Sequence, residues 1–320
     1  MEKYALILDG SAILCTQYYG TNPLSSPSGE PTNGVYGFMK FLSKLLVSHK
    51  PEYLAVCWDV SRKTFRKQEF EAYKGNRDET PDDLKKQFIT CQNVLREFNI
   101  PQFFSKDYEA DDFAGTLAKK FENEIPIRIV TKDKDYFQLI SENTHIWKIC
   151  NKMKDWENLL TKYGIDKSDV PEKLFEIDPD MLVKEYGYSS DKVTLLKGLM
   201  GDSSDNIPGI KGIGEKSAIT LVNTYDSIED IYSNVEGKSD KEIDAWKKSL
   251  KLTKRVVDAL LLEETDYGMT NKELGILSKK LATIKTDIDI DTRLEDLALN
   301  IDSTKGQEAL QNLGIKTIKL

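Results

Sequence analysis

Three short apolar runs, Tyr4 to Leu8, Tyr53 to Trp58 and Ile127 to Val130, each give way to aspartate and are separated by segments long enough to hold helices. Runs of this length with apolar side chains on both faces fit strands covered on both sides, as in a parallel sheet. Parallel neighbours need crossovers. Gly34 to Val47 repeats apolar residues at intervals of three and four, as an amphipathic crossover helix does. Between the second and third runs lie a basic stretch, a helical pattern over Pro81 to Phe98, a short strand pattern over Gln102 to Phe104, and a helix over Glu109 to Phe121. The expected class is α/β. After Asp191 the strand patterns fade and helices separated by Gly-rich turns take over, so a boundary is placed near residue 190. The polar segment Asn151 to Asp178 reads as a surface insertion.

At 320 residues and 39% hydrophobic side chains, the chain can bury a core divided between a large and a smaller unit. No stretch reaches membrane-spanning length and no leader pattern opens the sequence, so a cytoplasmic protein is expected. Cys15, Cys57, Cys91 and Cys150 are scattered, and His49 and His145 lie outside any metal-ligand spacing. Zinc sites, disulfides and histidine-dependent nucleophilic triads are therefore not expected. The net charge of −8 looks unsuited to a polyanionic partner. Charge is unevenly placed, however: Ser61 to Arg77 carries Arg62, Lys63, Arg66, Lys67, Lys74 and Arg77 against only Glu69 and Glu71. Such a run is ordinarily a solvated face.

The acids are more informative. Asp9 follows the first strand, Asp59 the second, and Asp133 with Asp135 the third, all at carboxyl ends, where ligands bind in open parallel sheets. A single aspartate after a strand is commonly a helix cap. Four in matching positions are harder to explain that way. Glu109, Asp111 and Asp112 open the next helix, with Glu109 and Asp112 three apart on one face. Asp202 and Asp205 are also three apart, in a turn after the apolar helix Val193 to Met200. Carboxylates crowded together repel unless a cation lies between them. All-oxygen donors select hard ions, so Mg²⁺ is expected, with Mn²⁺ as a substitute. A pair of such ions suits in-line displacement at phosphorus, and phosphodiester hydrolysis is the natural reaction.

Ile207 to Ala218 (IPGIKGIGEKSA) sets Gly-rich turns immediately before a helix, where backbone N–H groups can hold phosphate without reading sequence. The same glycines could simply allow close packing. The segment is not a P-loop, because Glu215 separates Gly214 from Lys216 and no strand precedes it. No nucleotide cofactor is expected.

Taken together, LILDGS (6–11), SGEPTNGVYGF (28–38), TFR (64–66), YKGNR (73–77), YEADD (108–112), TKDKD (131–135), GDSSDNIPGIKGIGEKSA (201–218) and LATIKTD (281–287) resemble the 5′ nuclease, or flap endonuclease, superfamily, above all the 5′–3′ exonuclease domains of bacterial DNA polymerases I. The resemblance implies a PIN-like parallel-sheet nuclease domain over 1–190 with a helical arch near 61–100, followed by a helical helix–three-turn–helix DNA-binding domain over 191–320. It implies a first metal group of Asp9, Asp59, Glu109 and Asp111, a second of Asp133, Asp135, Asp202 and Asp205, and Asp112 adjoining both. Lys74 and Arg77 match arch residues at the scissile phosphate, catalytic together with Asp9 and Asp59. Arg66 matches a basic position at the arch base, and Arg66 and Tyr73 are expected, with Lys74 and Arg77, to contact DNA. Gly209, Lys211, Gly212, Gly214 and Lys216 fall in the hairpin that grips the DNA backbone and that in the family can carry K⁺. The implied partner is DNA with 5′ ends, flaps or nicks.

Two departures stand out. Thr16 occupies a position where the polymerase I domains carry arginine, and the 151–178 segment looks longer than theirs. The chain ends soon after LATIKTD, so it is read as stand-alone or a fragment without polymerase or proofreading domains. A metal-binding but catalytically inactive DNA-junction protein and a carboxylate-dependent phosphatase are the alternatives. The intact carboxylate set speaks against the first, and the hairpin and arch against the second.

Overall fold

A computed structural model describes residues 3–263 and 265–320. Six strands form one sheet: β1 (Ala5–Asp9), β2 (Tyr53–Cys57), β3 (Gln102–Phe103), β4 (Ile127–Thr131), β5 (Thr144–Ile149) and β6 (Leu174–Ile177), in the spatial order β3-β2-β1-β4-β5-β6. All neighbours run parallel except β6, which pairs antiparallel with β5. The central strand ALILD is buried along its whole length, as expected for a sheet covered on both faces. Its register sets Asp9 beside Cys57 of β2 and Leu8 beside Val130 of β4, so three adjacent strands end at one level.

The crossover helix Asn33–His49 buries Val35, Phe38, Met39, Leu42, Leu45 and Leu46, and Phe38 stacks on Trp58 with ring centroids 5.6 Å apart. Its N-terminal N–H groups are capped from another helix: Gln87 Oε1 accepts from Gly34 and Val35 at 2.7 and 3.2 Å. Gln87 lies on Asp82–Glu97, whose Leu84, Cys91, Val94 and Leu95 join the same core. The later part of the region expected as arch, from residue 79 onward, is therefore built into the sheet unit.

Close packing separates two units, one of 1–64, 79–178 and 285–320, the other of 65–78 and 179–284. This differs from a single cut near 190: the boundary falls between 178 and 179, and two other stretches change unit. The stretch 285–320 returns to the sheet: Leu299 N–H donates to Glu52 O at 3.0 Å, and helix Ser303–Asn312 follows Asp302, whose N–H donates to Phe98 O at 3.1 Å. The stretch 65–78 packs instead with the helical unit, where Tyr73 clusters with Ile207, Leu281 and Ala282. The segment expected as an insertion is structural. It supplies helix Met153–Tyr163 and edge strand β6, and buried Trp156 donates its indole N–H to Leu174 O at 2.7 Å.

The helical unit comprises Phe65–Glu69, Pro179–Tyr186, Val193–Met200, Glu215–Val222, Ile228–Tyr232, Asp240–Ser249, Lys254–Leu260 and Asn271–Ala282. Val193–Met200 and Glu215–Val222 flank the Gly-rich turns. No described helix is long and apolar enough to cross a membrane.

The docking of Ser303–Asn312 depends on a missing side chain. A Cβ on Gly306 would lie 2.1 Å from Phe98 Cδ1, inside the ring. Gly306→Ala should lower stability by about 1–3 kcal/mol through overpacking, read as a reduced urea midpoint. Adding Phe98→Leu should recover part of the loss; an unchanged midpoint in the single variant would mean that this helix does not seat on Phe98.

Candidate functional site

In the sheet unit the carboxylates gather where β2, β1 and β4 end. Asp9 caps helix Gly10–Gly20 by accepting from Ala12 N–H at 2.9 Å, and its second oxygen accepts from the Thr131 hydroxyl at 2.7 Å. Thr131 Oγ1 also accepts from Asp133 N–H at 3.0 Å, tying the β1 and β4 acids together. Asp133 in turn accepts from Asp135 N–H at 2.9 Å. Asp59 is held from both sides. Its N–H donates to Ser11 Oγ at 2.8 Å, and its Oδ1 accepts from Ala110 N–H at 2.9 Å, the first residue of helix Ala110–Phe121. Burial, then the charges of Asp59 and Asp133, raises the Asp9 carboxyl to about 7. Among the described residues, no group of three or more His, Cys, Asp or Glu side chains is drawn tightly enough to hold an ion by itself.

The acids of YEADD divide in role. Glu109 is the N-cap of helix Ala110–Phe121 and accepts from the Thr64 hydroxyl at 3.2 Å. Asp112 is 0% exposed, and its oxygens accept from Glu109 N–H at 3.0 Å and Lys285 N–H at 2.8 Å. It completes a capping box and fastens the returning 285–320 stretch. Asp111 accepts from Asp112 N–H at 2.8 Å.

In the helical unit, GDSSDNIPG is a closed turn. Asp202 and Ile207 exchange backbone hydrogen bonds of 2.9 and 2.8 Å, and Ser204 donates its N–H and hydroxyl to Asp202 Oδ1. Gly201 and Gly209 have φ of 70° and 62°, and a Cβ on Gly209 would sit 2.1 Å from Gly201 N. The turn presents two acids with cationic partners. Burial alone would raise the Asp202 carboxyl, but hydrogen bonds from Lys197 and Ser204 overcome it and hold the group below its ordinary value. Asp205 faces the YKGNR stretch: Arg77 pairs with Oδ1, Lys74 Nζ lies 3.7 Å from Oδ2, and Tyr73 OH donates to Oδ2 at 3.3 Å. Backbone contacts reinforce the pairing, with Lys74 N–H donating to Asp205 O at 2.8 Å and Asn76 to Ser203 O at 2.7 Å.

The family descriptions "5′-3′ exonuclease, N-terminal resolvase-like domain" and "5′-3′ exonuclease, C-terminal SAM fold" match residues 4–174 and 188–305. The chain belongs to the 5′–3′ exonuclease family. A 5′-3′ exonuclease of Aquifex aeolicus is 32% identical over 318 residues, spanning 99% of this chain and 94% of that protein. The DNA polymerase I of Caldicellulosiruptor bescii is 37% identical over 294 residues, 91% of this chain but 30% of the polymerase, so the chain spans under a third of that relative. Among solved structures, the T5 D15 protein co-crystallized with metal ions shares the fold at a TM-score of 0.58 and 17% identity, covering 97% of this chain and 100% of that one. The catalytic core of Rad2 in complex with DNA substrate does so at 0.57 and 17%, covering 98% and 88%.

Several expectations carried over from the 5′ nuclease resemblance change on this geometry. Arg66, expected at DNA, is 1% exposed, and its guanidinium donates to the carbonyls of Leu281 and Thr283, each at 2.9 Å. It is an internal clamp on the backbone at the end of helix Asn271–Ala282. Tyr73, also expected at DNA, is 4% exposed and oriented to Asp205. Gly209 spends its N–H on Ser278 Oγ at 2.9 Å and serves packing instead of phosphate. Asp112, expected beside both metal groups, is a structural cap. Lys211, Gly214 and Lys216 are exposed around the start of helix Glu215–Val222. Thr16, in place of arginine, turns its hydroxyl back to Ala12 O at 2.7 Å. Sequence reading left Ser11, Thr131 and Lys197 without roles, although the first two lie inside the quoted motifs.

The Asp9 cluster has a measurable pH signature. Its folded pKa of about 7 exceeds the unfolded value of about 3.9, so the unfolded chain loses this proton first as pH rises. In EDTA, stability should therefore fall between about pH 4 and 7 and stay lowered above. Asp9→Asn should flatten that fall and raise stability at pH 8 by roughly 1–4 kcal/mol, measured by urea unfolding across pH. Parallel pH profiles for the two proteins would remove the raised Asp9 group from the account.

Proposed function

We propose that this chain is a divalent-metal-dependent nuclease that hydrolyses DNA phosphodiesters near 5′ ends, nicks and flaps, leaving 5′-phosphate and 3′-hydroxyl products. The observation that carries the reading is the gathering of acids at the ends of β2, β1 and β4, where Thr131 ties buried Asp9 to the Asp133 turn and burial, with the charges of Asp59 and Asp133, raises the Asp9 carboxyl to about 7. Bringing a divalent cation to such a cluster would relieve the repulsion that proton uptake otherwise relieves. Asp9, Asp59, Glu109 and Asp111 would form one ligand group, and Asp133, Asp135, Asp202 and Asp205 the other. Their all-oxygen chemistry favours Mg²⁺, with Mn²⁺ able to replace it. When bound, such ions activate water and neutralise charge at phosphorus.

The remaining roles belong to the chain itself. Lys74 and Arg77 would stabilise charge growing on the scissile phosphate, and Thr131 and Ser11 would hold Asp9 and Asp59 in place. Lys211, Lys216 and the backbone about Gly212 and Gly214 would take the duplex phosphates, with K⁺ at the same hairpin. A cytoplasmic location accompanies this reading.

Cleavage of a labelled 5′-flap substrate should require Mg²⁺ or Mn²⁺; full activity in EDTA, or products ending in 3′-phosphate, would defeat the mechanism. Asp202→Asn should cripple cleavage while leaving DNA binding equal or tighter, since negative charge facing phosphate is removed. Loss of binding in proportion to activity in a folded variant would assign Asp202 to structure.

The two basic sites should fail differently. Lys74→Ala and Arg77→Ala should lower the single-turnover rate about 10²–10³-fold with little change in affinity. Lys216→Ala should keep that rate at saturation and reduce the slope of log affinity against log salt by about 1. Equal binding losses with unchanged rates would make all three ordinary phosphate anchors.

A further inference from the structure

One cation from outside the glycine hairpin sits against its backbone. Arg255 lies in helix Lys254–Leu260, is exposed, and pairs with no carboxylate among the described residues; Asp258, on the same helix, is not paired with it. Its position is set by close packing. Gly212 turns the hairpin at a φ of 115°, a backbone that favours glycine, and a Cβ there would meet Ala259 Cβ at 3.1 Å. Ala259 is buried, and its small side chain lets helix Lys254–Leu260 come this close. Arg255 stands one turn earlier on the same face of that helix. Its Nε lies 3.8 Å from the point where a Gly212 side chain would begin, so the guanidinium stem runs beside the turn.

The turn itself offers donors. Ile210 and Ile213 close it with bonds to Leu199 O and Ile210 O at 2.8 and 3.1 Å, whereas the backbone N–H groups of Lys211, Gly212 and Gly214 are spent on no other described group. Open N–H groups beside an unpaired guanidinium suit a phosphodiester, which accepts neutral and charge-assisted hydrogen bonds at once. We propose that Arg255 is a DNA-binding residue whose guanidinium shares one duplex phosphate with the N–H groups about Gly212. The proposal rests on the DNA-cleaving reading above and deepens it, extending the interface from the glycine turns to a helix further along the chain. Arginine suits the task, because its planar fork can hold two phosphate oxygens and stays charged. A contact of this kind positions the duplex without reading its sequence.

Binding of the full-length protein to a labelled 5′-flap duplex would be followed by fluorescence anisotropy across salt, in EDTA to prevent cleavage. Arg255→Ala should weaken affinity about tenfold and lower the slope of log affinity against log salt by about 1. Arg255→Lys should restore the slope but only part of the affinity, because an ammonium keeps the charge without the fork. Lys50→Gln, which removes the same charge ahead of β2, should change neither. Duplexes carrying a single neutral methylphosphonate at successive positions then locate the contact. The position that costs wild-type protein most should cost Arg255→Ala little, since the phosphate it neutralises has already lost its partner. Unchanged affinity and slope in Arg255→Ala would overturn the proposal. So would an equal loss in Lys50→Gln, which would reduce the effect to net charge, or methylphosphonate losses that match in both proteins at every position. Wild-type protein that binds no duplex would defeat the DNA-cleaving reading itself, and this proposal with it, which separates the two failures.

Discussion

Mutual repulsion among carboxylates at one edge of the sheet is the constraint around which much of this chain is arranged. Strands in register bring Asp9, Asp59 and Asp133 to the same edge, where burial denies Asp9 the solvent that would screen it while Asp59 and Asp133 stay exposed. The local chemistry manages that charge with fixed dipoles. Helix starts at Ala12 and Ala110 lend N–H groups to Asp9 and Asp59, and the Thr131 hydroxyl bridges β1 and β4. These donors orient the acids without neutralising them. What remains is a site of concentrated negative potential suited to a hard cation.

The helical unit handles the same problem by a different route. Its two acids lie in a turn closed by a backbone pair and pressed between Gly201 and Gly209, and each has a cation at hand: Lys197 for Asp202, and Arg77 with Lys74 for Asp205. The cations facing Asp205 come from a distant part of the sequence that Arg66 anchors to the carbonyls of Leu281 and Thr283. Guanidinium suits that task, since its planar fork can serve two carbonyls and remain charged when buried. The exposed lysines of the glycine hairpin, by contrast, keep their charge at the surface.

Much of this was legible in the sequence. Central strands, the crossover helix and the position of each acid follow from local pattern, because a buried parallel strand is a short continuous apolar run and its carboxyl end is known once its direction is. Side-chain allegiance was less legible. Arg66 and Lys74 look alike as basic residues in a basic stretch, and only folding shows one buried against carbonyls and the other beside Asp205. Asp111 and Asp112 are likewise adjacent acids at a helix start, yet Asp112 is diverted by an N–H from residue 285, a contact no local pattern encodes. The edge strand β6 was hidden for a similar reason. Its partner is antiparallel and distant, and the preceding helix shows only Trp156 and Leu160 as buried residues among polar ones.

The chain crosses between its two packed units four times, after Thr64, Asp78, Asp178 and Ile284. Neither unit is a continuous piece of sequence, and the cap on Asp112 and the bond to Glu52 are supplied by residues that follow the helical unit in the chain. During synthesis the sheet can begin to form early, but the contacts made by residues 285–320 wait until the whole helical unit has emerged. Long-range closure of this kind slows folding and leaves apolar surface uncovered for longer. The arrangement also couples the halves in inheritance: a recombination event joining a foreign helical segment at any single junction would break one unit while replacing the other. The sheet unit and the helical unit are therefore expected to have changed partners rarely, and to have evolved as one body.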